Sequence, residues 1–370
     1  MTIYQCCTRC VMDTSAPGIH FDAQGHCNFC SEFLTRMSSG EGYFKTKQGE
    51  RQALLDRVRK GGQGRDYDCI VGVSGGVDSA YALYLAKQAG LRPLAVHLDN
   101  GWNSELAVKN IENLVRKLDV DLYTHVIEWR ENRDMQGAFF KANVIDIELL
   151  MDNAMLALNY QQAKKRGVRF ILAGTNQATE GMKMPSGWNH FKMDARNIRA
   201  IHRQHGSLSV KTHPLIGTLD FLQYRYVQKI QWISFLDYFD YNKEQALTTL
   251  VREVDYKPYP YKHYESVFTR FYQGYILPTK FGVDKRRLHL STLVCTGQMM
   301  REQALKTLET NPYPDGAQLE EDRAFVLKKL GFDKGWFKDY LGQPAVAHDH
   351  FPSEKERYLS LIKLKQRLMP

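Results

Sequence analysis

The stretch "CIVGVSGGVDSAYALYLAKQAG", Cys69 to Gly90, places two glycines, two serines and an aspartate between an apolar run and a helical pattern. Gly75 and Gly76 let the chain turn sharply and bring backbone N–H groups close to a ligand, with no Cβ in the way. The helix that begins near Val77 points its N-terminus at the same spot, and that end favours anions. Ser74 and Ser79 add hydroxyl donors. Such a set suits phosphate. Asp78 would be repelled by a bare phosphate, so it reads as a ligand to a bridging Mg²⁺ or as an orienter of the loop. The spacing is neither the Walker loop, because no Gly-Lys-Ser/Thr follows, nor G-x-G-x-x-G.

Five of the seven cysteines fall in the first thirty residues. Cys7-Thr8-Arg9-Cys10 and Cys27-Asn28-Phe29-Cys30 form two C-x2-C pairs separated by sixteen residues. Two residues between thiolates let both reach one ion from a tight turn, and two such turns complete the tetrahedron that zinc prefers. Cys6 could stand in for Cys7, though its spacing to Cys10 is less regular. A disulfide pair is disfavoured in a reducing compartment, and an iron site is the weaker metal alternative. Four thiolates leave no open position, so the metal is expected to be structural. A third feature is the charge of Tyr256–Arg301. It carries Lys257, Lys262, Arg270, Lys280, Lys285, Arg286, Arg287 and Arg301 against only Glu265 and Asp284, in a stretch rich in tyrosine, phenylalanine, proline and glycine.

The elements around these residues alternate. Apolar strands are expected at Cys69–Val73, Leu94–Leu98, Leu122–Ile127 and Phe170–Ala173. Helices are expected at Asp78–Ala89, Glu105–Leu118 and Ile145–Arg166, then at Gln223–Phe239 and Lys243–Val254. This alternation predicts an α/β fold, a parallel sheet with helices on both faces. Ligands of such sheets sit beyond the carboxyl ends of the strands, which lines up Ser74–Ser79, Asp99–Ser104 and Gly174–Glu180 along one rim. The expected organisation is a zinc-binding knuckle over 1–37, a linker over 38–65 with a short amphipathic piece at Leu54, Leu55 and Val58, the sheet domain over 66–215, and a mainly helical C-terminal region over 216–370.

Composition agrees with a globular chain: 43% hydrophobic and 25% charged residues, with no run near the ~18 apolar residues of a membrane helix. The opening "MTIYQCCTRC" lacks a secretion signal, so a cytoplasmic location and no membrane partner are expected. The net charge of +9 favours an anionic partner such as a nucleotide, a phosphorylated sugar or RNA.

"SGGVDS" resembles the pyrophosphate loop (PP-loop) of the N-type ATP pyrophosphatases, an adenine nucleotide alpha-hydrolase-like group that includes GMP synthetase, NAD synthetase and argininosuccinate synthetase. "AVHLDNGWNS", with Asp99, is similar to their adenosine-holding segment. "LAGTNQATEG", with Gly174, Thr175 and Glu180, is similar to the loop that closes over the nucleotide, and the resemblance implies Glu180 as a second Mg²⁺ ligand. Nearly the whole chain resembles the N-acetyl sugar amidotransferases of bacterial surface-polysaccharide (O-antigen) biosynthesis. The segments are "CTRCVMDTSAPGIHFDAQGHCNFC", "GTNQATEGMKMPSGW", "KHYESVFTRFYQGYILPTKFGVDKRRLHLS" and "GQMMREQAL".

That resemblance implies ATP, Mg²⁺ and structural Zn²⁺ as cofactors. It also implies a reaction: adenylation of an acetamido carbonyl on a nucleotide-linked sugar, then attack by ammonia to give an acetamidino group with release of AMP and pyrophosphate. Lys262, Arg270, Lys285 and Arg286 are candidates to meet pyrophosphate or the sugar nucleotide's diphosphate. His263 and Glu265 are candidates to orient the amide or ammonia. Lys183, Lys192 and Asp194 are candidates to line the sugar pocket, and Trp102 and Trp188 to stack on a ring. A glutaminase needs a nucleophilic cysteine in an elbow or at the mature N-terminus, and neither Cys69 nor Cys295 is so placed. Ammonia is therefore expected from a separate glutaminase subunit, resembling the glutaminase–cyclase pair of imidazole glycerol phosphate synthase. The alternative is a tRNA-modifying ATP pyrophosphatase that adenylates a base before sulfur or amine transfer. Thiolation usually recruits a cysteine pair near the loop, and only Cys69 and Cys295 remain outside the knuckle, so nucleic acid is the less expected partner. A non-enzymatic nucleotide-binding subunit is the third possibility, and the intact Asp78 argues against it.

Overall fold

Five strands form one parallel sheet: β1 (Cys69–Gly72), β2 (Pro93–Asp99), β3 (Leu122–Val126), β4 (Phe170–Ala173) and β5 (Gln231–Ser234), in the order β3-β2-β1-β4-β5. The structure is a computed structural model that describes residues 3–259, 264–313 and 315–368, with side chains to 363. β1 and β4 read as unbroken apolar runs because both of their faces are covered. Ile70 of β1 stands opposite Leu94 on one side and Ile171 on the other. β3 is an edge strand, and its Leu122 and Val126 are exposed. The strand order reverses between β1 and β4, so the crevice at their carboxyl ends is where a ligand is accommodated.

Two cores cover the sheet. On one face Val71, Leu83, Ala86, Leu114, Phe235 and Leu250 pack together. They join the helices Val77–Gln88, Glu105–Leu118 and Lys243–Val254 to the sheet. On the other face Ile70, Val96, Leu158, Tyr160 and Ile171 pack around the helix Leu149–Lys165. A third core unites the knuckle with the helix Trp129–Lys141 and the C-terminal helices, through Met12, Phe33, Phe139, Phe268, Val326 and Phe337.

Two expectations are corrected. The stretch Gln223–Phe239 is not one helix: it holds a π turn at Gln223–Val227, then β5, then a 3-10 turn at Phe235–Tyr238. Lys229 sits at φ 57, which breaks the helix. From there Trp232 faces one core and Ile233 the other, the alternation of a strand. The sheet therefore runs past residue 215, where the boundary of its domain was drawn. The second correction is the helix Trp129–Lys141, for which no element was expected. The segment read as a linker holds its amphipathic piece as a helix, Arg51–Gly61, whose Leu54, Leu55 and Val58 are buried in the sheet core. Among the described residues no helix is long and apolar enough to cross a membrane.

Candidate active site

The loop after β1 is held by its own serines and by tyrosines from far along the chain. Ser79 Oγ accepts from the Ser74 N–H at 3.2 Å and donates to the Gly76 carbonyl at 3.1 Å, while the two serine hydroxyls lie 3.2 Å apart. Gly75 has φ +86, and a Cβ there would meet Ala107 Cβ at 3.0 Å. Both the turn and the close approach of the helix Glu105–Leu118 therefore require glycine. The hydroxyls of Tyr256 and Tyr259 donate to the Gly75 carbonyl at 2.8 and 3.0 Å. With its carbonyl anchored from outside, the loop cannot flip that peptide unit without breaking two hydrogen bonds.

The tyrosines reach the loop for a local reason. Asp255 ends the helix Lys243–Val254 in the left-handed region, φ 55, and turns the chain back. Buried Asn110 then brackets Lys257, accepting from its N–H at 2.8 Å and donating to its carbonyl at 2.9 Å. Asn113 donates to the Asp255 carbonyl at 3.0 Å. The same helix thus packs on Gly75 and straps down the segment that carries both tyrosines.

Asp78 lies one residue into the helix Val77–Gln88. Its Oδ1 accepts from the buried Tyr241 hydroxyl and its Oδ2 lies 3.6 Å from Lys243 Nζ. Burial, then the charges of Asp78 and Glu180, push the Tyr241 hydroxyl well above its usual pKa, so it stays a donor. Glu180 itself ends the short helix Gln177–Glu180 in the loop after β4. Gly174 closes the other side: a Cβ on it would meet the Asp78 backbone at 2.6 Å and the Ser79 nitrogen at 2.7 Å. The loops after β1 and β4 are thus in backbone contact. Thr175 Oγ1 lies 3.1 Å from Ser234 Oγ, and Asn176 caps the short helix Gln177–Glu180 by accepting from the Thr179 N–H at 2.8 Å.

Asp99 shapes its own turn by accepting from the Gly101 N–H at 2.9 Å. The chain returns to that turn from the C-terminal region: the Ser104 N–H donates to the Glu265 carbonyl at 2.9 Å, and the Val267 N–H to the Trp102 carbonyl at 3.0 Å. Glu265 Oε1 comes to 3.9 Å from where a Cβ on Gly76 would stand, so Glu265 does border the phosphate loop. Lys262 and His263 lie outside the described residues.

The four knuckle thiols fit zinc. Cys7, Cys10, Cys27 and Cys30 are buried, and their sulfurs all lie within 4.8 Å of one another. The Cys7–Cys30 and Cys10–Cys27 pairs are 3.7 and 3.6 Å apart. Sulfurs bound at ~2.3 Å to a tetrahedral ion are separated by about 3.8 Å, so this arrangement matches that geometry. The N–H groups of Cys10 and Cys27 donate to Cys7 Sγ at 3.4 and 3.2 Å, as expected where thiolate charge needs donors. Cys6 remains outside the cluster. The knuckle docks on the C-terminal helices: Arg301 donates to the Cys10 and Cys7 carbonyls at 3.0 and 2.7 Å, and Arg287 pairs with Asp13 at 2.9 Å.

The cations proposed for phosphate or sugar have carboxylate partners. Arg270 forks onto Asp322 with two contacts of 2.6 Å, both side chains nearly buried. Arg286 forks onto Asp284 and also donates to the Thr310 carbonyl at 3.0 Å. Lys285 pairs with Glu148 at 3.1 Å. Lys192 bridges Asp146 at 2.7 Å and Asp152 at 2.8 Å. Lys192 and Lys285 both depress the Asp146 carboxyl, to about 2, against the opposing effect of burial. Lys183 is exposed beside Glu32, 3.8 Å away. Asp194 is a buried helix cap that accepts from the Asn197 N–H at 2.9 Å. Trp102 and Trp188 are core side chains, each 1% exposed, and Trp102 donates to Gln136 at 3.0 Å. Neither stacks on a ligand from there. Sequence reasoning missed Tyr241, Lys243, Tyr256 and Tyr259, although the tyrosine-rich composition of 256–264 was a visible signal.

A parallel sheet whose order reverses at a serine–glycine–glycine loop, closed by the loop of the next strand, defines the PP-loop ATP pyrophosphatase fold. Comparison with known proteins agrees: residues 51–184 match the NAD synthase family, and residues 265–368 match the family described as LPS biosynthesis protein WbpG-like, C-terminal domain. Neither match spans half of the chain; its C-terminal part is similar to the WbpG-like lipopolysaccharide biosynthesis proteins and its sheet region to NAD synthase. It is 34% identical over 94 residues to an uncharacterized protein of Methanocaldococcus jannaschii, covering 25% of this chain and 33% of that one. It is 30% identical over 118 residues to the tRNA(Ile)-lysidine synthase of Chlamydia pneumoniae, covering 31% and 34%. The chain thus spans about a third of the length of these curated relatives. Among solved structures, NMN synthetase from Francisella tularensis superposes with a TM-score of 0.34 at 13% identity, over 75% of this chain and 94% of that one. The NH3-dependent NAD synthetase from Campylobacter jejuni gives 0.30 at 16%, over 59% and 89%.

Proposed function

We propose that the protein uses ATP to adenylate an acetamido carbonyl of a nucleotide-linked sugar and joins ammonia to the activated carbon. The products are an acetamidino sugar, AMP and pyrophosphate, and the setting is surface-polysaccharide biosynthesis. The observation that carries this reading is the union of the PP-loop with a C-terminal region of the lipopolysaccharide biosynthesis type. That region borders the loop: Glu265, at its first matched residue, lies against Gly76.

An amide carbonyl is a poor electrophile, and its oxygen is a poor leaving group. The α-phosphate of ATP makes that oxygen part of a good leaving group, provided that charge is stabilised and water excluded. The loop backbone and the N-terminus of the helix Val77–Gln88 would receive the pyrophosphate. Asp78 and Glu180 supply the hard oxygen donors that suit Mg²⁺, which neutralises phosphate charge when bound. Tyr241 and Lys243 hold Asp78 in place, so its loop-orienting and metal-binding roles are compatible. Glu265, which borders the loop, would orient the amide or the ammonia and accept a proton from it. The four-thiol knuckle would hold zinc as a structural element. Ammonia would come from a separate glutaminase, since Cys69 is buried within β1 with its thiol pushed up by burial, and Cys295 lies beside Cys10 and Cys30 of the knuckle.

The similarity to a tRNA(Ile)-lysidine synthase supports a second reading, adenylation of a tRNA base. One experiment separates the two. Purified protein with Mg-ATP and ammonium chloride is offered either a UDP-linked diacetamido sugar or a tRNA pool, and phosphorus NMR and mass spectrometry follow the products. AMP with the sugar, and the mass change for carbonyl oxygen replaced by NH, supports the first reading. AMP released only with tRNA supports the second.

A further inference from the structure

We infer that a second anion site, separate from the loop, lies in a groove of about 520 Å³ lined by Arg196, Arg199, Arg203 and Arg357, and that it takes a nucleoside diphosphate. The first three arginines stand at i, i+3 and i+7 on the helix Ala195–His205 and so share one face. Arg357 comes from the helix Lys355–Leu368. Among the described residues none of the four guanidiniums has an ion pair or a side-chain hydrogen bond. This contrasts with Arg270 and Arg286, whose forks are filled by Asp322 and Asp284.

The groove's two carboxylates are already occupied by backbone donors. Glu354 accepts from the N–H groups of Arg196 at 3.2 Å and Thr218 at 2.5 Å, and Asp220 accepts from the Gly217 N–H at 2.9 Å. Helix stability accounts for Arg203, which lies in the last turn, but not for Arg196. Arg196 sits in the first turn, where a positive charge opposes the helix dipole, and like charges three or four residues apart repel. Guanidinium forks match phosphate oxygens bidentately, and the volume is that of a small-ligand site. Leu219, 65% exposed on the groove wall, offers an apolar surface for a base.

The groove also adjoins the rim. Gly217 lines it, and the preceding Ile216 is paired to Asn153 at 3.0 and 2.7 Å. Asn153 follows Asp152, the partner of Lys192. The helix Leu149–Lys165 runs back from the carboxyl edge of the sheet, and its Asn159 lies 3.0 Å from where a Cβ on Gly72 would stand. Six residues of helix make Asn153 about 9 Å further along that axis. A ligand with its diphosphate in the groove can extend a sugar past Asp152 and Lys192 toward the strand ends. That the diphosphate belongs to a sugar nucleotide rests on the function proposed above; the groove's fit to a diphosphate does not.

The test is calorimetric titration of the full chain with uridine diphosphate while a non-hydrolysable ATP analogue and Mg²⁺ saturate the loop. Binding is expected to persist with the analogue present and to weaken as salt rises. It should fall about tenfold or more in Arg199→Ala/Arg203→Ala, with the analogue's affinity unchanged. Displacement of uridine diphosphate by the analogue, or wild-type affinity in the double variant, overturns the inference. Its failure and that of the proposed reaction are separable. AMP release with the sugar at an unaltered KM in the double variant removes the groove and leaves the reaction. Uridine diphosphate bound through the arginines without AMP release from any sugar removes the reaction and leaves the groove.

Discussion

The loop Ser74–Ser79 and the basic stretch Tyr256–Arg301 were both expected to meet phosphate, the second either the pyrophosphate or the sugar nucleotide's diphosphate, and they differ in where their chemistry resides. The loop works through backbone N–H groups, a glycine conformation and a helix end, all set within six residues. The basic stretch works through side-chain charges whose role depends on which carboxylate the fold brings to each. Arg270 was given Asp322 across two helices, and Arg286 the neighbouring Asp284 and the Thr310 carbonyl, so both are spent within the C-terminal region. Among the described residues, what that stretch brings to the loop is not cationic: the hydroxyls of Tyr256 and Tyr259 on the Gly75 carbonyl and the Glu265 carboxylate beside Gly76. A local motif carries its function with it, whereas a charge acquires its function from its partner.

The largest expected effect breaks the structural side of this comparison. Arg270→Ala leaves Asp322 buried without its partner and should cost about 3–5 kcal/mol in urea unfolding. Its Mg-ATP affinity below the transition should be normal; weakened ATP binding in the folded variant would return Arg270 to the phosphate site. On the other side, Asp78→Ala should lower sugar-dependent AMP formation about a hundredfold or more, with little change in the unfolding midpoint. A variant that merely unfolds would make Asp78 a structural residue like Arg270.

Protonation follows the same logic of partners. Burial lowers the His213 pKa to about 4, against the opposing effect of a hydrogen bond with the Leu150 backbone. The unfolded chain takes up that proton near pH 6.5 and the folded chain does not, so stability is full above pH 6.5. It is then lost as pH falls toward 4, at about 1.4 kcal/mol per unit. His213→Gln should flatten that part of a plot of unfolding free energy against pH; an unchanged slope would assign it elsewhere. The smallest effect concerns the tyrosines. Tyr256→Phe leaves Tyr259 on the Gly75 carbonyl and should cost about 1 kcal/mol, roughly a fivefold rise in the Mg-ATP dissociation constant, and the double Phe variant should cost more. Equal effects from the single and double variants would mean that the loop does not depend on these hydroxyls.

Strands β1, β2 and β4 were legible because strands covered on both faces are apolar runs between helical repeats. The knuckle was legible because ligand spacing is a local property. β5 was hidden: its four residues follow the left-handed Lys229 in a stretch whose apolar residues also suit a helix. The helix Trp129–Lys141 was hidden by polar residues that tertiary contacts bury, such as Glu131, Asn132 and Gln136. Within the candidate site, Ser74, Gly75, Asp78 and Gly174 were named from their motifs, while Tyr241 and Lys243 were not. Tyr241 and Lys243 reach Asp78 from more than 160 positions away in the chain, a proximity that no local pattern encodes.

The central claim, transfer of the carbonyl oxygen to AMP, has a direct test. The acetamido oxygen of the sugar nucleotide is replaced by heavy oxygen, the reaction is run with Mg-ATP and ammonium, and the AMP is analysed by mass spectrometry. Adenylation of that carbonyl predicts one heavy oxygen in the phosphate of each AMP formed. AMP released without the label, alongside an unchanged sugar, would contradict it.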